Sequence, residues 1–199
     1  MRIGPKYKIA RRLGAPIFEK TQTQKFALRE GQKSTKRGGR PKSDFGLQLN
    51  EKQKARMFYG ITEKQFRKYV ETALSKPGAP AANLLNLLEH RLDNIIWRAG
   101  LISTHRGARQ AVSHGHFLVN GRRAFVPSYA IGQNDSISIR EGSKGSKLFA
   151  EKEEGELSAV PTWVKYDSKK KEISVIESVG DAHTDMLFDL GMVIEYYQR

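Results

Sequence analysis

Apolar residues recur at helical spacing through the middle of the chain. Asn50 is expected to cap a first helix, and Thr62, with Gln65 three residues later, caps a second. A third helix is predicted over residues 82–98 and a fourth over 104–115. The last part of the chain, within 181–197, predicts a short helix followed by an extended end.

The region after the fourth helix has the alternating pattern of strands. Residues 117–126 form two strand-like runs around Asn120-Gly121, and this dipeptide is typical of a type I′ hairpin. Residues 136–140 alternate as a further strand. Two more strands are predicted at 163–166 and 173–176, beyond a stretch rich in lysine and glutamate.

Residues 1–43 have a different composition. They contain eight glycines and prolines, few aliphatic residues and clustered charge such as the run 36–40. Because this composition buries little apolar surface, we expect a mobile, extended basic arm without a core. A simple solubility tail is the alternative, but apolar residues between the charges, such as Tyr7 and Phe18, favour an arm that docks on a partner.

Charge identifies the class of partner. The 199 residues include 35 Lys and Arg against 21 Asp and Glu, which gives a net charge of +14. Residues 1–43 hold +11, residues 44–141 hold +6 and residues 142–199 hold −3. A polyanion is therefore the expected partner of the first two thirds. No apolar run is long enough to cross a membrane, and the first residues do not resemble a secretion signal, so we expect no membrane partner.

The sequence gives little support to catalysis. It has no cysteine, no phosphate-binding loop of the Gly-x-x-x-x-Gly-Lys type and no serine in a nucleophile elbow. His114-Gly-His116 invites a zinc hypothesis, but two histidines without a third ligand do not complete a tetrahedral site. We therefore predict a protein that is not an enzyme and that needs no metal and no cofactor.

Spaced motifs along the chain resemble those of a known family. Residues 47–66 carry Leu-Gln-Leu-Asn-Glu-Lys-Gln-Lys-Ala-Arg, then Tyr59-Gly60, Glu63 and Gln65-Phe66. Further matches are Arg91-Leu92-Asp93-Asn94, Arg98-Ala99-Gly100, Ala108-Arg109-Gln110, Val112-Ser113-His114-Gly115-His116, Val119-Asn120-Gly121, Pro127-Ser128-Tyr129 and Ile194-Glu195-Tyr196-Tyr197. Together these segments resemble small-subunit ribosomal protein four, the S-four family of bacteria and organelles, over nearly the whole chain and most weakly at 142–192.

The resemblance implies an α+β fold. A helical lobe, residues 44–88 completed by 182–199, would embrace an RNA-binding module at 89–181. The module would contain two short helices, a small and mostly antiparallel sheet, and a C-terminal strand extension. The basic arm, residues 1–43, would precede the lobe. Many relatives bind zinc through cysteines in this arm, and since the arm has no cysteine here, zinc is not expected.

The resemblance also implies a function. Members bind small-subunit ribosomal RNA at a multi-helix junction early in assembly. They help to line the messenger entrance beside ribosomal proteins S-five and S-three, contribute to decoding accuracy, and in some cases bind their own messenger RNA. The implied location is a bacterial cytoplasmic ribosome or an organellar ribosome, and both stay open.

Basic and short polar side chains are the candidate RNA contacts, because A-form RNA presents mainly phosphates and 2′-hydroxyls. Arg106, Arg109 and Ser113 recur along one side of the fourth helix, although a merely solvated face is the alternative. The module's candidates are Arg106, Arg109, Ser113, His114, His116 and Asn120. Those of the lobe are Lys52, Lys54, Arg56, Arg67 and Lys68. Those of the arm are Arg2, Lys6, Lys8, Arg11, Arg12, Lys36, Arg37 and Arg40.

Two rival functions belong to other classes. Related RNA-binding modules occur fused to RNA-modifying enzymes, but a catalytic domain needs about 150 residues and only residues 142–199 follow the predicted strand at 136–140. A general nucleic-acid-compacting protein would show basic repeats or a basic recognition helix instead of one mixed module.

Overall fold

The computed structural model describes residues 3–33, 43–149, 161–167, 172–176 and 186–199. The chain forms two compact units, the first comprising Met1–Leu84 with His183–Arg199 and the second Leu85–Ala182. The described part of the first unit contains helices and no strand, whereas the second combines helices with one sheet. The predicted α+β class is therefore confirmed.

The first unit contains helices that are capped by the residues before them. Ser43 caps α3, because its Oγ accepts a hydrogen bond from the Gly46 amide at 3.3 Å, so this helix begins before the predicted cap at Asn50. Thr62 caps α4 as predicted, with its Oγ1 accepting from the Gln65 amide at 3.4 Å. Helices α3 and α8 pack together. The helices of this unit are α1 (Lys6–Leu13), α2 (Gln24–Lys33), α3 (Asp44–Phe58), α4 (Glu63–Ser75) and α8 (Leu190–Gln198), while α5 (Pro80–Glu89) continues into the second unit.

The prediction of an extended arm without a core is wrong for the described residues 3–33. They form α1, a short 3-10 turn at Glu19–Thr21, and α2. The apolar residues between the charges pack into a small core, which is why this segment folds despite its composition. The buried members of this core are Ala10, Leu13, Ala15, Ile17, Phe18 and Phe26, with Met57 and Leu187 packed against it.

The described part of the second unit contains one antiparallel sheet and the short α-helices α6 and α7, in addition to the end of α5 and two 3-10 turns. The strand order is β2-β1-β3-β5-β4, and every pair is antiparallel. The predicted hairpin is confirmed: Asn120 and Gly121 have φ of 49° and 77°, and Val119 pairs with Arg122. The elements are α6 (Leu92–Arg98), α7 (His105–Ser113), β1 (Phe117–Val119), β2 (Arg122–Ala124), β3 (Ser136–Ile139), β4 (Val164–Asp167) and β5 (Glu172–Val175).

The single helix predicted over 82–98 is in fact two. Arg91 has an extended backbone with ψ of 138° and forms an isolated antiparallel bridge with Ala130. On either side, the Leu92 amide donates to the Tyr129 carbonyl and the Ile131 amide donates to the His90 carbonyl, both at 2.9 Å. This pairing with a distant segment ends α5 and restarts the chain as α6.

The core of the second unit lies between the sheet and the two helices α6 and α7. It is built from one face of α6, one face of α7 and alternate strand positions, as the burial of Ile137 and Ile139 on β3 shows. The helices are thus fixed on the sheet, and the outer side of α7 is left to solvent.

Candidate nucleic-acid interface

Helix α7 presents a polar side to solvent. Thr104 caps the helix, since its Oγ1 accepts from the Gly107 amide at 3.0 Å, and the apolar residues of the opposite side are buried. Arg106 is exposed, and no described residue pairs with its guanidinium. Ser113, two turns further, is also exposed, although its hydroxyl donates to the Arg109 carbonyl at 3.0 Å. Of the two arginines predicted on the exposed side of this helix, Arg106 therefore faces solvent as expected.

The guanidinium of Arg109 is engaged within the protein. It donates to Asp93 Oδ2 from Nε at 2.9 Å and from Nη2 at 2.7 Å. The same carboxylate receives the two guanidinium nitrogens of Arg91 at 3.0 and 2.8 Å, and both Arg91 and Asp93 are buried. Arg109 thus fastens α7 to α6, and its predicted grip on phosphate, which stays a prediction, would have to share this guanidinium with Asp93.

A second buried polar network lies at the junction of α5 and α6. Glu89 is fully buried and accepts from Asn94 Nδ2 at 2.7 Å. Arg98 donates to both oxygens of Glu89, at 3.0 and 2.7 Å. The motifs at 91–94 and 98–100 that carry the family resemblance therefore hold the helices in place, because a buried carboxylate needs such partners.

The turn between α7 and the hairpin places more polar groups beside the exposed side of α7. Arg123 on β2 donates from Nε to the Gly115 carbonyl at 3.0 Å and from Nη2 to the His114 carbonyl at 3.4 Å. Its guanidinium lies 4.8 Å from the ring centroid of Phe125, which is 52% exposed. We call the group of Arg106, Ser113, His114, Arg123 and Phe125 the helix–hairpin face.

Gly115 makes this arrangement possible. Its φ is +69°, and an added Cβ would lie 2.6 Å from both Arg123 Nε and Phe125 Cε1. Arg123 and the exposed Arg122 were not among the predicted contacts, although two arginines directly after Asn120-Gly121 were a readable signal.

The two histidines of the turn differ in environment. His114 is exposed, whereas His116 is half-buried with its Nδ1 3.0 Å from Ser143 Oγ. Burial, and then the nearby positive charges of His114, Arg140 and Arg123, lower the pKa of His116 from its ordinary value of 6.5. The contact with Ser143 gives His116 a structural role at this turn, and its predicted contact with RNA stays a prediction. Within the described ranges no group of three or more His, Cys, Asp or Glu side chains could hold a metal ion.

Asn120 also has a structural role. Its Nδ2 donates to Asp135 Oδ1 at 2.7 Å, and its Oδ1 accepts from the Ser136 amide at 2.9 Å. Both polar atoms of its amide are therefore engaged in joining the hairpin turn to β3. The Nδ2 group carries a second hydrogen and the side chain is exposed, so the predicted contact of Asn120 with RNA stays a prediction.

Lys52, predicted to contact RNA from the helical lobe, is instead buried. Its ammonium lies 2.8 Å from Glu63 Oε1 and 4.3 Å from the ring centroid of Tyr196. Burial alone would raise the pKa of Glu63, but hydrogen bonds from Lys52 and Tyr197 outweigh it and hold that pKa below 4.5. Burial and the bond to Glu63 raise the pKa of Tyr197 far above 10.0. Lys52 therefore joins α3 to α4 and α8.

The other predicted cations divide into paired and unpaired groups. Lys54 pairs with Glu51 at 2.7 Å, Arg56 lies 3.5 Å from Glu63 and Arg67 pairs with Glu71 at 2.9 Å. Lys6 lies 3.7 Å from Glu19 and over the Phe18 ring, while Arg11 is exposed on α1. Those that are exposed and have no partner among the described residues are Lys8, Arg12 and Lys68. Those that lie outside the described residues are Arg2, Lys36, Arg37 and Arg40.

Comparisons with known proteins agree with this architecture. The family model of the ribosomal protein S4/S9 N-terminal domain matches residues 1–89, and that of the S4 domain matches residues 90–137. The small ribosomal subunit protein uS4 of Acetivibrio thermocellus is 39% identical to this chain, over 98% of both chains. The chain belongs to the uS4 family of small-subunit ribosomal proteins. The uS4 protein of Persephonella marina is 39% identical over 98% of this chain and 97% of its own, and that of Mycolicibacterium smegmatis is 40% identical over 98% of both.

Membership of the uS4 family confirms the prediction of a ribosomal protein that is not an enzyme. The family consists of structural ribosomal proteins and not of enzymes. The S4 domain match spans α6, α7 and the β1–β2 hairpin, so it contains the whole helix–hairpin face. In the described part of the chain, no helix has the length and apolar character needed to span a membrane.

Proposed function

We propose that this uS4-family chain binds small-subunit ribosomal RNA at a multi-helix junction and that the helix–hairpin face is a principal contact. The observation that carries this proposal is the pair of exposed guanidinium groups on the face, Arg106 on α7 and Arg123 on β2. Arg106 has no partner in the described part of the chain, and Arg123 donates only to main-chain carbonyls and packs on Phe125. Both retain N–H groups for phosphate oxygens.

The face suits folded RNA for reasons of shape and charge. An A-form helix keeps its base edges in a deep groove, so a protein at a junction contacts phosphates, 2′-hydroxyls and unpaired bases. Guanidinium groups on a helix held rigidly against a sheet can grip phosphates at fixed spacing. The exposed Ser113 and His114, at the end of α7, can reach 2′-hydroxyls at shorter range.

The same proposal extends to the role of the protein in the ribosome. The chain binds this RNA early in subunit assembly, lies beside ribosomal proteins S-five and S-three at the messenger entrance, and contributes to decoding accuracy. It acts in the cytoplasmic ribosome of a bacterium, which the bacterial origin of the three relatives supports. A second target, its own messenger RNA, follows if that messenger folds into a similar junction.

The test compares binding of the full chain to a junction fragment of small-subunit ribosomal RNA and to duplex DNA of equal length at about 150 mM salt. Nonspecific electrostatic binding weakens steeply at this ionic strength, so a junction-specific protein should keep its preference for the RNA. Replacing both Arg106 and Arg123 by alanine should weaken RNA binding and flatten the plot of log K against log salt by about two. Lys165→Ala, at an exposed position of β4, is the control.

Equal binding to RNA and DNA would favour the rival reading of a general nucleic-acid-binding protein. An unchanged salt slope in the double variant would mean that the helix–hairpin face does not contact the RNA. Co-sedimentation of tagged protein with small subunits tests the ribosomal role separately.

A further inference from the structure

A basic pocket with an aromatic wall lies between α1 and α2 in the first unit. It has a volume of about 350 Å³, which is in the range of small-ligand sites. The described residues that line it are Tyr7, Arg11, Thr23, Lys25, Phe26 and Arg29. Only Arg11 of these was a predicted RNA contact, and the helix–hairpin face contains none of them.

The lining combines two kinds of chemistry. Three of its side chains are cationic and none is acidic. The rings of Tyr7 and Phe26 lie with centroids 6.0 Å apart at an angle of 39°. Phe26 is buried in the small core, whereas Tyr7 is 47% exposed and offers a free part of its surface. The pocket thus presents the exposed ring of Tyr7 beside a cluster of positive charge.

Two of the three cations, both on α2, are available for an anion. Lys25 and Arg29 are exposed one turn apart on α2, and no described residue pairs with either. Thr23 and Lys25 stand at the amino-terminal end of α2, where amide groups lack helical acceptors and the helix dipole favours negative charge. An apolar peptide would leave these charges without a partner.

We propose that this pocket binds one unpaired nucleotide of the ribosomal RNA. Its base stacks on Tyr7, and its phosphate contacts Lys25 and Arg29. Aromatic side chains and cations side by side are the usual means of holding an unstacked nucleotide. The proposal rests on the proposed ribosomal-RNA binding and deepens it, because it assigns a separate contact to the first unit.

A titration of the full chain with uridine 5′-monophosphate, followed by amide chemical shifts, tests the pocket directly. Uridine and inorganic phosphate are titrated in parallel to separate base from phosphate. The nucleotide is expected to shift the amides of Tyr7, Thr23, Lys25 and Arg29 at concentrations where neither fragment does so. Equal shifts with phosphate alone, or shifts scattered over the surface, would overturn the proposal.

Variants of the full chain then test the pocket with the junction RNA fragment. Tyr7→Leu keeps apolar bulk but removes the ring, and it should weaken binding about tenfold, the order expected for one stacked base. Tyr7→Phe should retain nearly full affinity. Lys25→Gln should flatten the salt slope by about one, whereas Lys20→Gln, an identical change at an exposed position outside the pocket, should not.

These results separate the pocket from the proposed function. If the Tyr7 and Lys25 variants bind the RNA like the unmodified chain while Arg106→Ala with Arg123→Ala weakens it, the pocket proposal fails and the proposed function stands. If the unmodified chain shows no preference for the RNA, the proposed function itself fails. Circular dichroism of each variant confirms that the helices are retained.

Discussion

A single oxygen of Asp93, Oδ2, accepts hydrogen bonds from both Nε and Nη2 of Arg109, at 2.9 and 2.7 Å. Asp93 lies in α6 and Arg109 in α7, sixteen residues apart. Sequence spacing predicts that Arg109 lies on the RNA-binding side of α7. In the structure Arg109 fixes α7 against α6 and so orients that side of the helix. Arg106, three residues earlier, is left to face solvent.

Replacing Arg109 by alanine should therefore destabilise the second unit. Asp93 would stay buried with Arg91 as a partner, so we expect a loss of about 1–3 kcal/mol in the free energy of unfolding. Both tryptophans, Trp97 and Trp163, lie in this unit, and urea unfolding followed by tryptophan fluorescence reports on it selectively.

Arg106→Ala is the matched control for that change. Its side chain is exposed on the same helix, and its loss should alter the free energy of unfolding by less than about 0.5 kcal/mol. If both variants unfold at the same urea concentration, the Asp93–Arg109 pair contributes nothing to stability and the structural assignment of Arg109 is mistaken.

The difference between Arg106 and Arg109 shows that the sequence predicts local structure but not contacts between distant segments. Local patterns predict the hairpin at Asn120-Gly121 and the cap at Thr62, because turn and cap chemistry depends on neighbours in sequence. The partner of Arg109 is in another helix. Spacing on one helix indicates which residues share a side, but it does not show which of them meet a carboxylate from elsewhere.

Contacts between distant segments also explain two further differences from the sequence predictions. The break between α5 and α6 comes from pairing of Arg91 with Ala130, and the burial of Lys52 comes from α8, more than 130 residues away in sequence. The small core around Phe18 has a different cause, because the average composition of residues 1–43 hides the apolar residues clustered in its first part. Six buried apolar residues suffice to give α1 a core to pack against.

Gly115→Ala should disrupt the helix–hairpin face. The added Cβ would meet Arg123 Nε and Phe125 Cε1 at 2.6 Å, and a φ of +69° is strained for any residue with a Cβ. We expect the free energy of unfolding to fall by about 1–3 kcal/mol and RNA affinity to fall as well, because Arg123 must move. Urea unfolding and equilibrium binding to the junction fragment measure the two effects.

Gly121→Ala separates strain from displacement. Gly121 has a φ of +77°, but nothing lies within 4 Å of its added Cβ. The free energy of unfolding of this variant should fall by only about 1 kcal/mol, from backbone strain alone, and its RNA affinity should be unchanged. Normal RNA affinity in Gly115→Ala would show that Arg123 and Phe125 are not part of the contact.

The stability of the first unit should depend on the ionisation of Glu63. Its pKa is lower when folded than the ordinary value of 4.5, so the ionised form stabilises the folded state. This stabilisation is present above pH 4.5 and is lost as the pH falls through the folded pKa. Glu63→Gln should therefore be destabilised relative to the unmodified chain at pH 7, and the difference should shrink below pH 4.5.

Urea unfolding followed by far-ultraviolet circular dichroism, at pH 7 and below pH 4.5, tests this dependence. Tryptophan fluorescence is the internal reference for the second unit. Glu71→Gln is the control, because Glu71 pairs with Arg67 on an exposed helix surface and such a pair contributes less than about 1 kcal/mol. A difference for Glu63→Gln that is independent of pH would contradict the role assigned to its charge.

The small core of residues 3–33 predicts that α1 is folded before RNA binds. Amides near the end of α1, from Ala10 to Leu13, should exchange slowly in the free protein, because Ala10, Leu13 and Phe18 are buried together. Leu13→Ala should weaken this protection, since removing a buried leucine side chain costs about 2–5 kcal/mol. Leu28→Ala, on the 68% exposed leucine of α2, should leave it unchanged. Fast exchange of these amides in the free protein would mean that RNA, and not the core, organises this segment.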